Sequence, residues 1–291
     1  MTTGAGRPGR SVLVQEGPWP FITRRVTWRE GQIVSLWRSR HHRKGLPVKG
    51  AAHTLALEMA LSRCLWMPRE LNWWIGVLFA LGSVLFGLGS WLSLQPLLAH
   101  RWHLSPEAVS TVFLLGSFPF TAAAYLQLFQ AANSPLVADQ PQRRRSHWRW
   151  FGWRPGDLGW LSCALQFPGT LLFNLNTYNA LNTGLDWYDQ DLAIWTPNIL
   201  GSVLFMASGY LSFMETCHSP WAWQPRSLSW WVTSTNLLGC VGFLLSALVS
   251  VVLPSTVGPA FPTVSLIFTL VGAMGFLIGS LLMLPESVVP S

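Results

Sequence analysis

The chain has 291 residues, half of them hydrophobic and only 11% charged, with a formal net charge of +7. Soluble chains carry charge on about a quarter of their positions, and charge keeps a folded surface in water, so this composition argues against a water-soluble globule. The four cysteines, Cys64, Cys163, Cys217 and Cys240, lack paired spacing, which argues against a disulfide framework or a zinc site.

In chain order, residues 1–16 are expected to form a disordered tail and 17–70 a basic, amphipathic region lying on the cytoplasmic membrane surface. No apolar core followed by a small-residue cleavage site is visible, so no signal peptide is expected. The run Trp37-Arg38-Ser39-Arg40-His41-His42-Arg43-Lys44 interleaves basic and aromatic residues, and so does Arg143-Arg144-Arg145-Ser146-His147-Trp148-Arg149-Trp150. Aromatic rings sit at headgroup depth and each nearby cation contributes about 1 kcal/mol toward anionic lipid. Arg38, Arg40, Arg43, Lys44, Arg143, Arg144, Arg145 and Arg149 are therefore expected to contact anionic headgroups, with docking of a protein partner as the alternative. No nucleic-acid-binding module accompanies the charge, and no nucleic-acid partner is expected. His53–Met67 has the pattern of an amphipathic surface helix, with Leu57, Leu61, Cys64 and Leu65 apolar.

From residue 71 to 286, apolar runs of about twenty residues alternate with short polar connectors, the length a helix needs to cross the hydrocarbon of a bilayer. Six transmembrane helices are predicted, at 72–94, 108–131, 158–181, 193–214, 229–253 and 263–284, in an all-α membrane fold. None holds Asp, Glu, Lys, Arg or His in its interior. Twelve of the 19 Lys and Arg precede the first span, five follow the second and one follows the fourth, whereas Arg101 stands alone on the opposite side. Retention of basic segments places both termini in the cytoplasm, and a bacterial inner (plasma) membrane is the expected location.

Every span contains Gly, a small residue, two further residues and Phe. The pairs are Gly82 and Phe86, Gly116 and Phe120, Gly169 and Phe173, Gly201 and Phe205, Gly239 and Phe243, and Gly272 and Phe276. Seven residues after each Gly stands a small or short polar residue: Gly89, Ala123, Asn176, Ser208, Ser246, Gly279. Trp73, Trp160 and Trp230 lie nine residues before the Gly of the odd-numbered spans, and successive Gly pairs are separated by 34, 32 and 33 residues. This regularity predicts one two-helix hairpin present three times in parallel topology. Positions i, i+4 and i+7 share a helix face, and small residues let backbones approach where lipid gives apolar surface little drive to associate. The twelve Gly and Phe residues are therefore expected to form the packing faces of the bundle.

The stretch Asn72–Ala131 resembles a YrhK-like membrane domain. Gly82-Ser83-Val84-Leu85-Phe86 and Val112-Phe113-Leu114-Leu115-Gly116-Ser117 carry the likeness, and fainter copies cover Leu158–Met214 and Ser229–Leu284. The resemblance implies a membrane-embedded hairpin and supplies no activity, substrate or catalytic residue. Triplication, the basic N-terminal region and the long second connector depart from a single module.

Uncharged polar residues concentrate in and around the third span. Asn174, Asn176, Asn179, Asn198 and Asn236 form a candidate polar pocket near the outer leaflet, interhelical hydrogen bonding being the plainer role for the same amides. Pro119, Pro168 and Pro197 are expected to interrupt spans two, three and four. Asp186, Asp189 and Asp191 suit a solvated turn or a weak external cation site. Glu215, Cys217 and His218 are too compact for a ligand pair and suit an interface-level polar cap. No nucleophile–base pair, phosphate loop or metal set is visible, so no catalytic residue, cofactor or metal is expected. The expected function is that of a non-catalytic membrane protein organising lipids or partners, with a transporter or channel for a small uncharged or polar solute as the alternative.

Overall fold

The computed structural model describes residues 11–46, 62–134, 148–254 and 261–288. It opens with a three-stranded antiparallel sheet in the order β1 (Ser11–Glu16), β2 (Arg24–Arg29), β3 (Gln32–Arg38). Val14 pairs with Val26, which pairs with Leu36. Glu30 and Gly31 join β2 to β3, both with positive φ (54° and 79°), the two-residue turn whose twist suits a hairpin. Helix α1 (Ser39–Lys44) follows directly and ends on left-handed Gly45, where the Leu46 N–H donates to the His41 carbonyl.

This sheet corrects one expectation. Residues 11–16 are a strand, not part of a disordered tail, and a small sheet precedes the helices; the chain is otherwise mostly helical, which supports the all-α membrane class. Val, Ile, Thr and Trp recur between the arginines, and these side chains suit a pleated surface. The surface helix expected at 53–67 lies mostly outside the described residues, which show helix only at 62–64.

Six long helices follow: α2 (Leu71–Leu94), α4 (Pro106–Asn133), α5 (Leu158–Asn179), α7 (Thr196–Cys217), α8 (Leu228–Val249) and α9 (Pro262–Glu286). Short helix α3 (Pro96–Arg101) bridges α2 and α4, while α6 (Trp187–Gln190) runs through a π turn, Asp191–Trp195, into α7. Starts are set by local chemistry. The Ser105 side chain accepts from the Ala108 N–H ahead of Pro106, Asp157 accepts from the Gly159 and Trp160 N–H groups, and Ser227 accepts from that of Trp230. Helix α8 ends at Val249, four residues before the expected end. Pro254 disfavours helix in its predecessor, and the Val252 N–H donates instead to Asp191 Oδ1 at 2.9 Å. Pro119 and Pro168 lie inside helices as expected, and Pro197 lies just past the π turn within the continuous helical stretch Trp187–Cys217.

Five segments are long and apolar enough to cross a membrane: α2, α4, the continuous stretch Trp187–Cys217, α8 and α9. Helix α5 is not among them, because Gln166, Asn174, Asn176, Thr177 and Asn179 dilute its apolar run. The outward faces carry Leu81, Val84, Leu115, Phe118, Leu171, Val203, Leu238, Ile267, Val271 and Ile278, all exposed, whereas Gly, Ser, Thr and Phe fill the interior. Such a surface suits hydrocarbon better than water. The protein is a multi-pass membrane protein.

The six long helices close a ring in chain order, α2 against α4, α4 against α5, α5 against α7, α7 against α8, α8 against α9, and α9 back against α2. The tightest seams join α2 to α4, α5 to α7 and α8 to α9. There Gly82 faces Gly116, Gly169 faces Gly201 and Gly239 faces Gly272, so close that a Cβ on any of them would lie 2.9–3.2 Å from the opposing carbonyl oxygen. All six glycines are buried. Three interior hydroxyls bond within their own helices, Ser83 donating to the Phe79 carbonyl, Ser90 to Phe86 and Ser280 to Phe276.

Candidate functional site: an aromatic ring between two polar cavities

Four residues past each glycine the phenylalanine points to the bundle axis, and the six side chains meet there. Phe86 touches Phe120, Phe120 touches Phe276, Phe276 touches Phe205, Phe205 touches Phe173, Phe173 touches Phe243 and Phe243 returns to Phe86, with centroid separations of 5.0–5.8 Å. A further contact at 5.7 Å, Phe243 to Phe276, crosses the ring. Most pairs are edge-to-face, the arrangement the aromatic quadrupole favours. The gap left between them is about 10 Å³, no more than one water needs, and it is lined by rings and Ser117.

On the far side of this ring, toward α3 and the π turn, lies a cavity of about 160 Å³. Asn176, Thr177, Asn198, Ser246, Ser265 and Thr269 line it, with Phe86, Phe173 and Phe243 as its floor. The hydroxyls are linked, Ser246 lying 2.7 Å from Thr269 and 2.9 Å from Ser265. No charged side chain contributes to the lining.

Of the five amides expected to form one pocket, the structure brings together Asn176 and Asn198 only. Asn174 accepts a hydrogen bond from Thr121 between α5 and α4. Asn179 donates to the Ala193 carbonyl at 2.7 Å, the group that Pro197, four residues on, leaves without a helical donor. Asn236 donates to the Val232 carbonyl and lines a different cavity. An amide's reach, about one helical turn, separates residues that share only a composition.

That second cavity, about 50 Å³, lies on the basic side of the ring. Phe205 and Phe276 form its floor, Gln166, Ser208, Ser212, Thr233 and Asn236 its walls, and Arg40, Arg43 and Lys44 of α1 its roof. The roof is held by ion pairs to the ends of α7 and α9. Arg43 Nη2 donates to Glu215 Oε2 at 2.6 Å, and Ser39 donates to the other oxygen at 2.9 Å. Arg40 Nη2 donates to both oxygens of Glu286 at 3.0 and 3.1 Å, with Lys44 Nζ 3.5 Å from that carboxylate. Asn72 of α2 binds the Lys44 carbonyl and in turn accepts from Gln130 of α4. A six-residue polar helix thus lies buried because each cation meets a carboxylate at the helix ends; apolar area contributes little.

Burial, followed by the neighbouring Arg40, pushes Lys44 down to about 7. Burial also opposes the charge on Arg43, but Glu215 outweighs it and holds that guanidinium above its ordinary range. His41 is lowered to about 4 by burial and then by Arg38 and Arg40; His218 is lowered to about 4 by burial, Arg38 and Arg24. Both imidazoles are neutral at physiological pH.

These contacts correct the expected lipid-facing set. Arg40, Arg43 and Lys44 are buried and paired to carboxylates, so they do not reach headgroups. Arg38 is half-buried against the sheet, Arg149 is exposed, and Arg143, Arg144 and Arg145 lie outside the described residues. Glu215 is not an interface cap either: its side chain is fully closed to solvent as the partner of Arg43. The aspartates of the far connector serve the backbone, Asp186 accepting from the Asp189 N–H and Asp191 from that of Val252.

Sequence reasoning missed Glu286, Gln130 and a set of tryptophans. Gln130, Glu215 and Glu286 each lie fourteen residues after the glycine of α4, α7 and α9, close to four full turns, hence on the glycine face. Trp66, Trp153 and Trp223 each precede Trp73, Trp160 and Trp230 by seven residues and stack edge-on against them at 5.5, 5.5 and 4.7 Å. The inner indoles donate to the Leu65, Phe151 and Ala222 carbonyls. Comparison with protein-family models, curated proteins and solved structures returns no match.

Proposed function

We propose that the chain spans the membrane six times as three tandem copies of one hairpin, with both termini in the cytoplasm, and forms a gated passage for a small uncharged or polar solute. The observation that carries this proposal is the closed ring of six phenylalanines, which separates a cavity lined by hydroxyls and amides from a smaller polar one roofed by Arg40, Arg43 and Lys44. A cavity lined by neutral donors and acceptors favours a solute that exchanges its water for hydrogen bonds, and an apolar constriction too narrow for water blocks it until the rings part. The fourteen- and seven-residue regularities at Gln130, Glu215, Glu286 and the tryptophans support the repeat, as does the resemblance of Asn72–Ala131 to a YrhK-like hairpin. With six spans, α5 crosses the bilayer with its polar face turned inward. No chemical reaction is assigned to the site.

The test is light scattering from proteoliposomes given an osmotic step of glycerol. Glycerol entry faster than into protein-free vesicles supports the passage; equal rates under every ionic condition and pH count against it. A second role, organising lipids or a protein partner without transport, is favoured by the N-terminal sheet, whose Val12, Leu13, Ile33 and Val34 are exposed. Unchanged glycerol entry together with a co-purifying lipid or protein would favour that role.

A further inference from the structure

Beside the bundle axis, where the sheet and α1 meet the connector between α7 and α8, the chain forms a cavity of about 700 Å³ open to the surface, within the range of small-molecule sites. Its wall carries Arg24 and Arg38 from the sheet, Arg40 and His41 from α1, and His218 and Arg226 from the connector, and no carboxylate lines it. Two of the guanidiniums are anchored from outside the cavity, Arg24 by Glu16 at 2.7 Å and Arg40 by Glu286. Arg24 Nε is closed to solvent without a hydrogen-bond partner, and Arg226 is exposed and in no ion pair among the described residues.

We infer that this cavity binds a phosphate group, held by Arg24, Arg38 and Arg226. Guanidinium forks match phosphate oxygens two at a time, and gathering four of them around one space without a lining carboxylate leaves a positive potential that such an oxyanion relieves. The same potential, after burial, keeps both imidazoles of the wall unprotonated, so each can offer a neutral N–H. Trp223 forms an aromatic flank and is largely exposed, which suits the non-phosphate part of a ligand. The phosphate can come from a soluble molecule or from a lipid headgroup, because the connector lies at the end of two apolar helices. The site does not depend on the phenylalanine ring acting as a barrier.

The experiment uses the full chain in a neutral detergent, titrated calorimetrically with inorganic phosphate, and the full chain in nanodiscs of mixed phosphatidylglycerol and phosphatidylcholine, read by native mass spectrometry. Saturable phosphate binding that Arg226→Gln weakens about tenfold, the effect of losing one charge-assisted contact, assigns the site to a soluble phosphate. Retention of phosphatidylglycerol that Arg226→Gln abolishes, without phosphate binding, assigns it to a headgroup. Arg226 is exposed, so its replacement leaves folding intact; Arg101→Gln, at the far end, serves as the control and changes neither readout. Absence of both signals, or signals that Arg226→Gln and Arg38→Gln leave untouched, overturns the assignment.

Discussion

Arg43 and Glu215 lie 172 residues apart in sequence and meet at 2.6 Å, with 5% and 0% of their side chains exposed. This one contact ties the N-terminal segment to the end of α7. Gly159 at the start of α5 passes so close that a Cβ there would come within 2.5 Å of both Arg43 Nε and Glu215 Oε1. Removing either charge leaves the other buried and uncompensated. Glu215→Gln is expected to destabilise the protein by about 3–5 kcal/mol, whereas the double replacement Arg43→Met with Glu215→Met recovers most of that loss, because two apolar side chains of similar volume leave no stranded charge. Thermal unfolding of the purified variants in detergent checks both; equal damage from the single and double changes would mean that the pair acts through shape and not charge.

The glycine seams predict a sharp contrast between neighbours on α2. A Cβ at Gly82 would lie 2.6 Å from the Phe120 ring and 2.9 Å from the Gly116 carbonyl oxygen, so Gly82→Ala must push two helices apart. Its expected cost is about 1–3 kcal/mol. At Gly87 the nearest atom to a new Cβ is 3.9 Å away, and Gly87→Ala should change stability by less than about 0.5 kcal/mol. Equal melting temperatures for the two variants would count against close packing at the seam.

Acidification should weaken the fold through His41 and His218. Both are held at about 4 in the native protein and titrate near 6.5 when unfolded, so between these values the unfolded chain binds more protons. Stability is therefore present above pH 6.5 and falls progressively toward pH 4. Lys44, lowered to about 7 from 10.5, follows the same sign at higher pH, with stability rising between about 7 and 10.5. Melting temperature against pH checks this, and His218→Gln should flatten the acidic limb.

The proposed cytoplasmic placement of both termini predicts that alkaline phosphatase fused after Ser291 is inactive and a fluorescent protein at the same point bright. An active phosphatase would reverse the orientation.

What could be read without coordinates follows from the range of each signal. Glycine four residues before phenylalanine is a local pattern fixed by helical geometry, and all twelve of these residues face the bundle interior or its seams. The strands are hard to read from sequence because Val12, Val14, Ile33 and Val34 sit in segments of six or seven residues, too short for alternation to stand out. The roles of Arg40, Arg43 and Lys44 were misjudged for a related reason: a cation run resembles a headgroup-binding stretch until its carboxylates are located, and Glu215 and Glu286 stand more than 170 residues downstream. The grouping of Asn176 with Ser265 and Thr269, and its separation from Asn236, depends on which helices adjoin across the ring, a long-range fact that amide composition does not encode.

In the proposed passage the phenylalanine ring is the barrier between two polar halves. The direct measurement is the glycerol entry rate into proteoliposomes carrying Phe120→Ala with Phe205→Ala, compared with wild type and with Phe213→Ala, a buried phenylalanine outside the ring. Opening the ring should raise entry severalfold above wild type, while Phe213→Ala leaves it unchanged. A folded ring variant whose vesicles admit glycerol no faster than wild type would mean that the ring is not the barrier.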